Sequence, residues 1–338
     1  MKHSVKSFKA RPAVLYAVGV VFLVVAVLLG IALGSTRMTI SELWQAITGG
    51  AVTEAGARIF WYVRFPRTLA CVICGAALAV SGAVIQGTLA NKLASPSIIG
   101  VNSGAGLAVT LCTAFGVYGG WKLSLYAFLG AFVSVLLVSM GAKKWGASRS
   151  TVILMGVALN SLLNALSDTI VTFFPEVGVM SNDFKVGEFS AVTYQKLIPA
   201  VVIVGVALAV LFTLTNELDI LQLGEENAKG LGMNTKVIRA LFLVLSALLA
   251  GCAVSIAGLL SFVGLIVPHA IRRVAGNKAS RVLPLCAIYG AGFVTLCDTL
   301  ARTLFSPYEI PVGIIMAFVG VPFFVFILLK RKGGHAND

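Results

Sequence analysis

The chain reads as a single all-α integral membrane domain, residues 1–338, with about ten transmembrane helices. Three observations predict this. Of 338 residues, 58% are hydrophobic and only 12% charged, too little charge to keep a soluble domain of this size in solution. Apolar stretches of about 20 residues recur, the length a helix needs to cross a bilayer. Lys and Arg residues fall between those stretches rather than along one face of a soluble fold. The net charge of +13 is therefore a matter of membrane orientation, and no nucleic-acid partner is expected.

The first span is placed at 13–34. It follows a tail, 1–12, that carries Lys2, Lys6, Lys9 and Arg11. Val14 to Leu33 is long enough to cross, and no small-residue cleavage site clearly follows it, so the tail is expected to stay in the cytoplasm. Further spans are predicted at 66–87, 97–117, 122–142, 150–173, 195–214, 237–258, 259–270, 282–303 and 311–330. The second is rich in small residues (Gly75, Ala76, Ala77, Ala79, Ser81, Gly82 and Ala83), which let transmembrane backbones approach closely. The eighth is too short to cross alone and holds Pro268, which predicts a broken or half-length helix buried among its neighbours. With the N-terminus inside, eighteen of the 26 basic residues fall on the cytoplasmic side, as the positive-inside rule demands. The C-terminal tail, 331–338, is then cytoplasmic too, and the protein is a multi-pass component of the cytoplasmic (inner) membrane.

Two connections carry structure of their own. Thr39-Ile40-Ser41-Glu42 reads as a capping box, and Ile40, Leu43, Trp44 and Ile47 share one helical face. This predicts an interfacial helix on the outer surface with Trp44 at headgroup level. In the cytoplasmic connection at about 216–236, Gly224, Gly230 and Gly232 bracket good helix formers, which predicts a short surface helix between glycine turns. A cytoplasmic partner could dock there. The six cysteines, Cys71, Cys74, Cys112, Cys252, Cys286 and Cys297, lie in apolar spans. The C-x-x-C at Cys71 and Cys74 suggests redox or metal chemistry by spacing, and small apolar packing by context; context is favoured.

Arg64-Phe65-Pro66-Arg67, the small-residue run from Gly75 to Ala83 with Gln86, and Leu93-Ala94-Ser95-Pro96 form one ordered set. It continues through Gly100-Val101-Asn102-Ser103-Gly104-Ala105 and Leu223-Gly224-Glu225 with Ala228, Leu231 and Gly232. The densest block is Phe262-Val263-Gly264-Leu265-Ile266-Val267-Pro268-His269, then Asp298, Ala301-Arg302, Glu309-Ile310-Pro311-Val312-Gly313 and Gly320-Val321-Pro322. In this order and spacing the set resembles the FecCD-type permeases, transmembrane subunits of ABC importers for ferric siderophores, haem or cobalamin. The resemblance implies an inverted-repeat bundle of the type II ABC importer kind that pairs with a second copy or a paralogue. It also implies two cytoplasmic ABC ATPases and an extracytoplasmic binding protein. By the same resemblance, Leu223, Gly224, Glu225, Ala228, Leu231 and Gly232 are the coupling helix that seats in the ATPase. Two departures stand out: Ala90-Asn91-Lys92 where the family commonly has Arg-Asn-Pro, and Phe184-Lys185-Val186-Gly187-Glu188 where a tryptophan is often found.

Arg64, Arg67 and Arg302 fall at outer ends of their spans. Snorkelling to headgroups is one reading; the other, which the family's docking arginines at matching positions support, is bidentate capture of binding-protein carboxylates. Asp168 and Asp298 are intramembrane carboxylates. Asp298 stands one helical turn before Arg302, which predicts an intrahelical ion pair. Asn160, Asn164 and Asp168 form a polar stripe on the fifth span, either lining the translocation path or bonding helix to helix. His269 has no second histidine outside the tails, so a structural or capping role is expected in place of a metal site. Glu309-Ile310-Pro311 reads as a helix start. No G-x-x-x-x-G-K-[ST] loop, Ser-His-Asp set or H-E-x-x-H helix is present in the sequence, so no catalytic residue, cofactor or metal is expected, and ATP hydrolysis is assigned to a partner. The expected function is translocation of an iron chelate by alternating access. The competing reading is a proton-coupled secondary transporter using Asp168 and Asp298.

Overall fold

A computed structural model describes residues 12–34, 44–45, 54–144 and 149–332. Among the described residues there is helix and no strand. The helices are α1 (Pro12–Ala32), α2 (Glu54–Ile59), α3 (Phe65–Thr88), α4 (Val101–Ala114) and α5 (Gly120–Lys144). Then come α6 (Arg149–Phe173), α7 (Pro175–Met180), α8 (Asn182–Val186), α9 (Tyr194–Thr213) and α10 (Thr215–Gln222). The last five are α11 (Glu225–Gly230), α12 (Thr235–Ala257), α13 (Val263–Ala275), α14 (Ala279–Thr303) and α15 (Val312–Lys332).

A helix stands at each of the ten predicted spans. Seven helical stretches are long and apolar enough to cross a membrane: those of α1, α5, α6, α9, α12 and α14, and Gly56–Thr88, in which a π-helical turn at Phe60–Arg64 joins α2 to α3. The other three differ. α4 has 14 residues and α13 has 13, too short for a crossing of roughly 20 residues. In α15 the apolar stretch Val312–Phe323 is likewise short. α2, α7, α8 and α10 were not anticipated.

The core is built around α3, buried at almost every residue from Pro66 to Thr88. Its small residues explain why. A Cβ on Gly75 would lie 2.3 Å from the Gly290 carbonyl oxygen of α14, and one on Gly82 would lie 1.9 Å from the Gly264 oxygen of α13. Backbone thus meets backbone, and packing replaces the hydrophobic drive that lipid cannot supply.

The eighth segment is a half-length helix, one of the two forms expected of it. Pro268 lies inside the continuous helix α13, and the chain is irregular before it, at 258–262. Phe262 takes a left-handed φ of 67° at the N-cap, a conformation a bulky residue adopts only when its surroundings enforce it. Its ring sits where a Cβ on Gly320 would come, 2.6 Å away. Gly100, at φ 100°, plays the same part before α4. Between the two irregular segments lies a cavity of about 200 Å³ lined by Ser95, Ser97, Asn102, Ser261 and Phe262. Non-helical backbone at membrane depth survives only where protein or a wet cavity surrounds it.

The exposed faces differ in chemistry. Val18, Val21 and Leu28 of α1, Leu125 and Leu129 of α5, and Ile198, Val202 and Val206 of α9 are all exposed and apolar. The exposed surface of α6 is mixed, with Ser161, Asn164, Asp168 and Thr172 beside Leu154, Val157, Leu162 and Leu166. The predicted interfacial helix and its capping box lie outside the described residues apart from Trp44, which is exposed. The tail 1–11 and residues 333–338 lie outside them as well.

Candidate functional site

At one end of the bundle, α11 forms for local reasons. Gly224 turns the chain at φ 112°. At the other end of α11 the amide of Met233 donates to Ala228 O and that of Gly232, at φ 81°, donates to Lys229 O, the paired bonds of a Schellman stop. Ala228 is fully buried and faces the protein, while Leu223 and Leu231 are 60% and 65% exposed. Glu225 fixes the helix against α12. Its carboxylate lies 2.9 Å from Lys229 Nζ and accepts a 2.9 Å hydrogen bond from the buried Arg239. Those bonds, first from Lys229 and then from Arg239, hold the Glu225 carboxyl down at about 2. Next to it α10 is pinned: Arg149 donates to Leu221 O at 2.7 Å, and Asp219 accepts from the Ala279 amide at 2.8 Å. All six residues expected in the coupling element are therefore brought into one surface unit. Arg239, which the sequence reading passed over, anchors it; the only signal for it was a lone arginine entering an apolar span.

At the opposite end lie Arg64, Arg67 and Arg302, and all three are buried. Asp298, 1% exposed at its side chain, sits between two of them. Arg67 donates from Nε and Nη2 at 2.9–3.2 Å, and Arg302 Nε lies 2.9 Å away as an ion pair. Arg67 also donates to Glu309 at 2.7 Å. The remaining donors serve α1: Arg64 reaches Ile31 O and Ala32 O, and Arg302 reaches Gly30 O and Leu33 O. Guanidiniums thus satisfy the orphan carbonyls of a helix C-terminus, where cations are favoured. The predicted Asp298–Arg302 pair is present, and Arg67 joins it from 231 residues away. The described hydrogen bonds of these three arginines all run inside the chain, to Asp298, Glu309 and the end of α1. Glu309 precedes α15, as expected of a helix start, and its carboxylate is engaged by Arg67.

The α6 stripe divides. Asn160 is half-buried and donates to Ser97 O and Ile98 O, and it accepts from Ser103 Oγ; it bonds α6 to the segment before α4. Asn164 and Asp168 are exposed and join no helix to another among the described contacts. Cys71 and Cys74 are buried free thiols, and Cys74 Sγ rests 3.7 Å from Ala253 O. No cluster of three or more His, Cys, Asp or Glu able to hold a metal occurs among the described residues.

Comparison with known proteins agrees with this arrangement. The family model described as the FecCD transport family matches residues 22–330. The Fe(3+)-citrate import system permease protein YfmD of Bacillus subtilis (strain 168) is 33% identical over 337 residues, 98% of this chain and 99% of that protein. The hemin transport system permease protein HmuU of Yersinia pestis is 31% identical over 330 residues, covering 96% and 98%. Among solved structures, an inward-facing ABC transporter classed as metal-chelate type superposes with a TM-score of 0.83 at 30% identity, covering 95% of this chain and all of that one. PsaBC from Streptococcus pneumoniae, at 18% identity and a TM-score of 0.60, shares the fold. With a family match over most of the chain, relatives aligned nearly end to end and the same bundle in a solved transporter, this multi-pass membrane protein belongs to the FecCD transport family, whose members are permease subunits of ABC importers.

Proposed function

We propose that the chain is the permease subunit of an ATP-driven importer for a ferric chelate, assembled from two permeases, two cytoplasmic ATPases and an extracytoplasmic binding protein. Both termini lie in the cytoplasm, so the α11 end faces the ATPases and the arginine end faces outward. The observation that carries the reading is α11: a clamped surface helix that presents two exposed leucines, Leu223 and Leu231, has the form of a docking element for another protein. The relatives named for ferric citrate, iron hydroxamate and hemin support an iron chelate as cargo. The exposed polar residues of α6, Asn164 and Asp168 among them, line the path between two permease copies, and Asn160 holds that helix in place. At the outer end, Arg64, Arg67 and Arg302 shape the docking rim from beneath. A proton relay through Asp168 and Asp298 finds no support: Asp298 is locked between two guanidiniums, and Asp168 stands exposed on another helix.

The test is co-purification with the ATPases encoded beside this chain, followed by uptake of radiolabelled ferric citrate, a ferric hydroxamate, hemin and cobalamin into proteoliposomes. ATP-dependent uptake of one ferric chelate supports the reading. ATP-dependent uptake of cobalamin alone replaces the cargo, and uptake without any ATPase overturns the assembly.

A further inference from the structure

Two cavities at the arginine end meet at Lys196, in the first turn of α9. One, of about 290 Å³, lies between α5 and α9 and is walled by Trp121, Leu125, Phe128, Pro199 and Ile203, with Lys196 on its edge. The other, of about 340 Å³, is reached past Lys196 and carries Asp183 and Glu188. Ser124, Lys196 and Ser255 belong to both walls. The order along this groove is therefore apolar, then cationic, then acidic.

The charges are poorly used within the chain. The Lys196 ammonium has three donors and makes one hydrogen bond, 3.1 Å to Ala191 O. It makes no ion pair among the described residues. The Glu188 carboxylate accepts from Ser190 Oγ at 2.5 Å, and the Asp183 carboxylate accepts no described bond. Asp183 is exposed and Glu188 half-buried, so both carboxylates are open to a cation brought in from the membrane surface. The large exposed side chains on both sides, Leu125 and Leu129 of α5 and Ile198 and Val202 of α9, are apolar, so the groove opens toward hydrocarbon. Trp121 is half exposed at its mouth, the usual position of an interfacial aromatic ring.

We propose that this groove binds one phospholipid with a primary-amine headgroup. An acyl chain lies between α5 and α9, the phosphate sits on Lys196, and the headgroup ammonium faces Asp183 and Glu188. A free phosphate would leave the apolar wall unused, and an anionic headgroup would leave the two carboxylates without a counter-charge. The site rests on the membrane placement of α5 and α9 and is independent of the cargo.

The experiment is native mass spectrometry of the purified full chain, delipidated and then offered phosphatidylethanolamine, phosphatidylglycerol or phosphatidylcholine in equal amounts. Retention of phosphatidylethanolamine at least about fivefold over the other two is expected. K196M should abolish retention of all three while K196R keeps it, and D183N with E188Q should erase the preference without erasing retention. Should K196M fail to fold, I203W, which fills the apolar half and touches no charge, is expected to abolish retention alone. Equal retention of the three lipids by the unaltered chain overturns the proposal, as does undiminished phosphatidylethanolamine retention in K196M or I203W. Neither result bears on the uptake assay, which reads the permease function separately.

Discussion

Each end of the bundle holds a carboxylate between two cations, and the two clusters behave differently because of burial. At the arginine end, Asp298 is 1% exposed and its partners Arg67 and Arg302 are 7% and 3% exposed. The cluster joins α1, α3, α14 and the turn before α15 with no charge free to leave. At the other end, Glu225 is 32% exposed and Lys229 is 56% exposed, with only Arg239 buried. The first arrangement fixes the position of four segments. The second fixes only a helix of six residues, leaving its apolar flanks open for a partner.

Four experiments would break or sharpen that contrast. Asp298→Asn has the largest expected effect on stability: it takes the counter-charge from the buried Arg302 and leaves Arg67 only Glu309, and removing one partner of a buried pair costs about 3–5 kcal/mol. Thermal unfolding in detergent should show a large drop, and an unchanged midpoint would mean the cluster carries no structural weight. Glu225→Gln should cost at most about 1 kcal/mol, as a partly exposed pair does. It should instead raise hydrogen exchange across 224–232; unchanged exchange there would remove the clamp from the account. Acid should act in the same place. Because the Glu225 carboxyl is held at about 2 against about 4.3 in an unfolded chain, its stabilisation is complete above about pH 5 and fades as pH falls toward 2. Loop exchange that rises before the bundle unfolds is the expected outcome, and simultaneous loss would show that α11 is not a separate unit. Leu223→Asp with Leu231→Asp should move the unfolding midpoint least, within about 0.5 kcal/mol for exposed sites, while abolishing ATPase co-purification. Retained ATPase binding would take the docking role away from α11.

Local relations were legible in the sequence and distant ones were not. Asp298 and Arg302 are four residues apart, and helical spacing alone predicts their pairing. Arg67 reaches the same carboxylate across 231 residues, a relation no periodicity can express. The α11 turn was legible because Gly224 and Gly232 mark positive-φ positions, whereas Arg239 looked like any arginine at the start of a span. The ten spans were readable from apolar length, yet α2, α7, α8 and α10 were missed, because a helix of five to eight residues has too few turns for a pattern. The short eighth span was legible from its length and Pro268, but the irregular segment before it was not. The interruption at 258–262 follows from Gly258 at φ 71° and Phe262 at φ 67°, whose conformations depend on what packs around them.

The brevity of α4 and α13 has an electrical consequence. At 1.5 Å per residue they rise about 20 Å, against a hydrocarbon thickness of about 30 Å. They begin beside one cavity of about 200 Å³ with Ser95, Ser97, Asn102 and Ser261 in its wall; water filling it would thin the insulating layer there by roughly a third. A membrane voltage spread over the shorter distance gives a field about one and a half times steeper than in the surrounding lipid. A charged solute passing that point would feel most of the transmembrane voltage within a few helical turns.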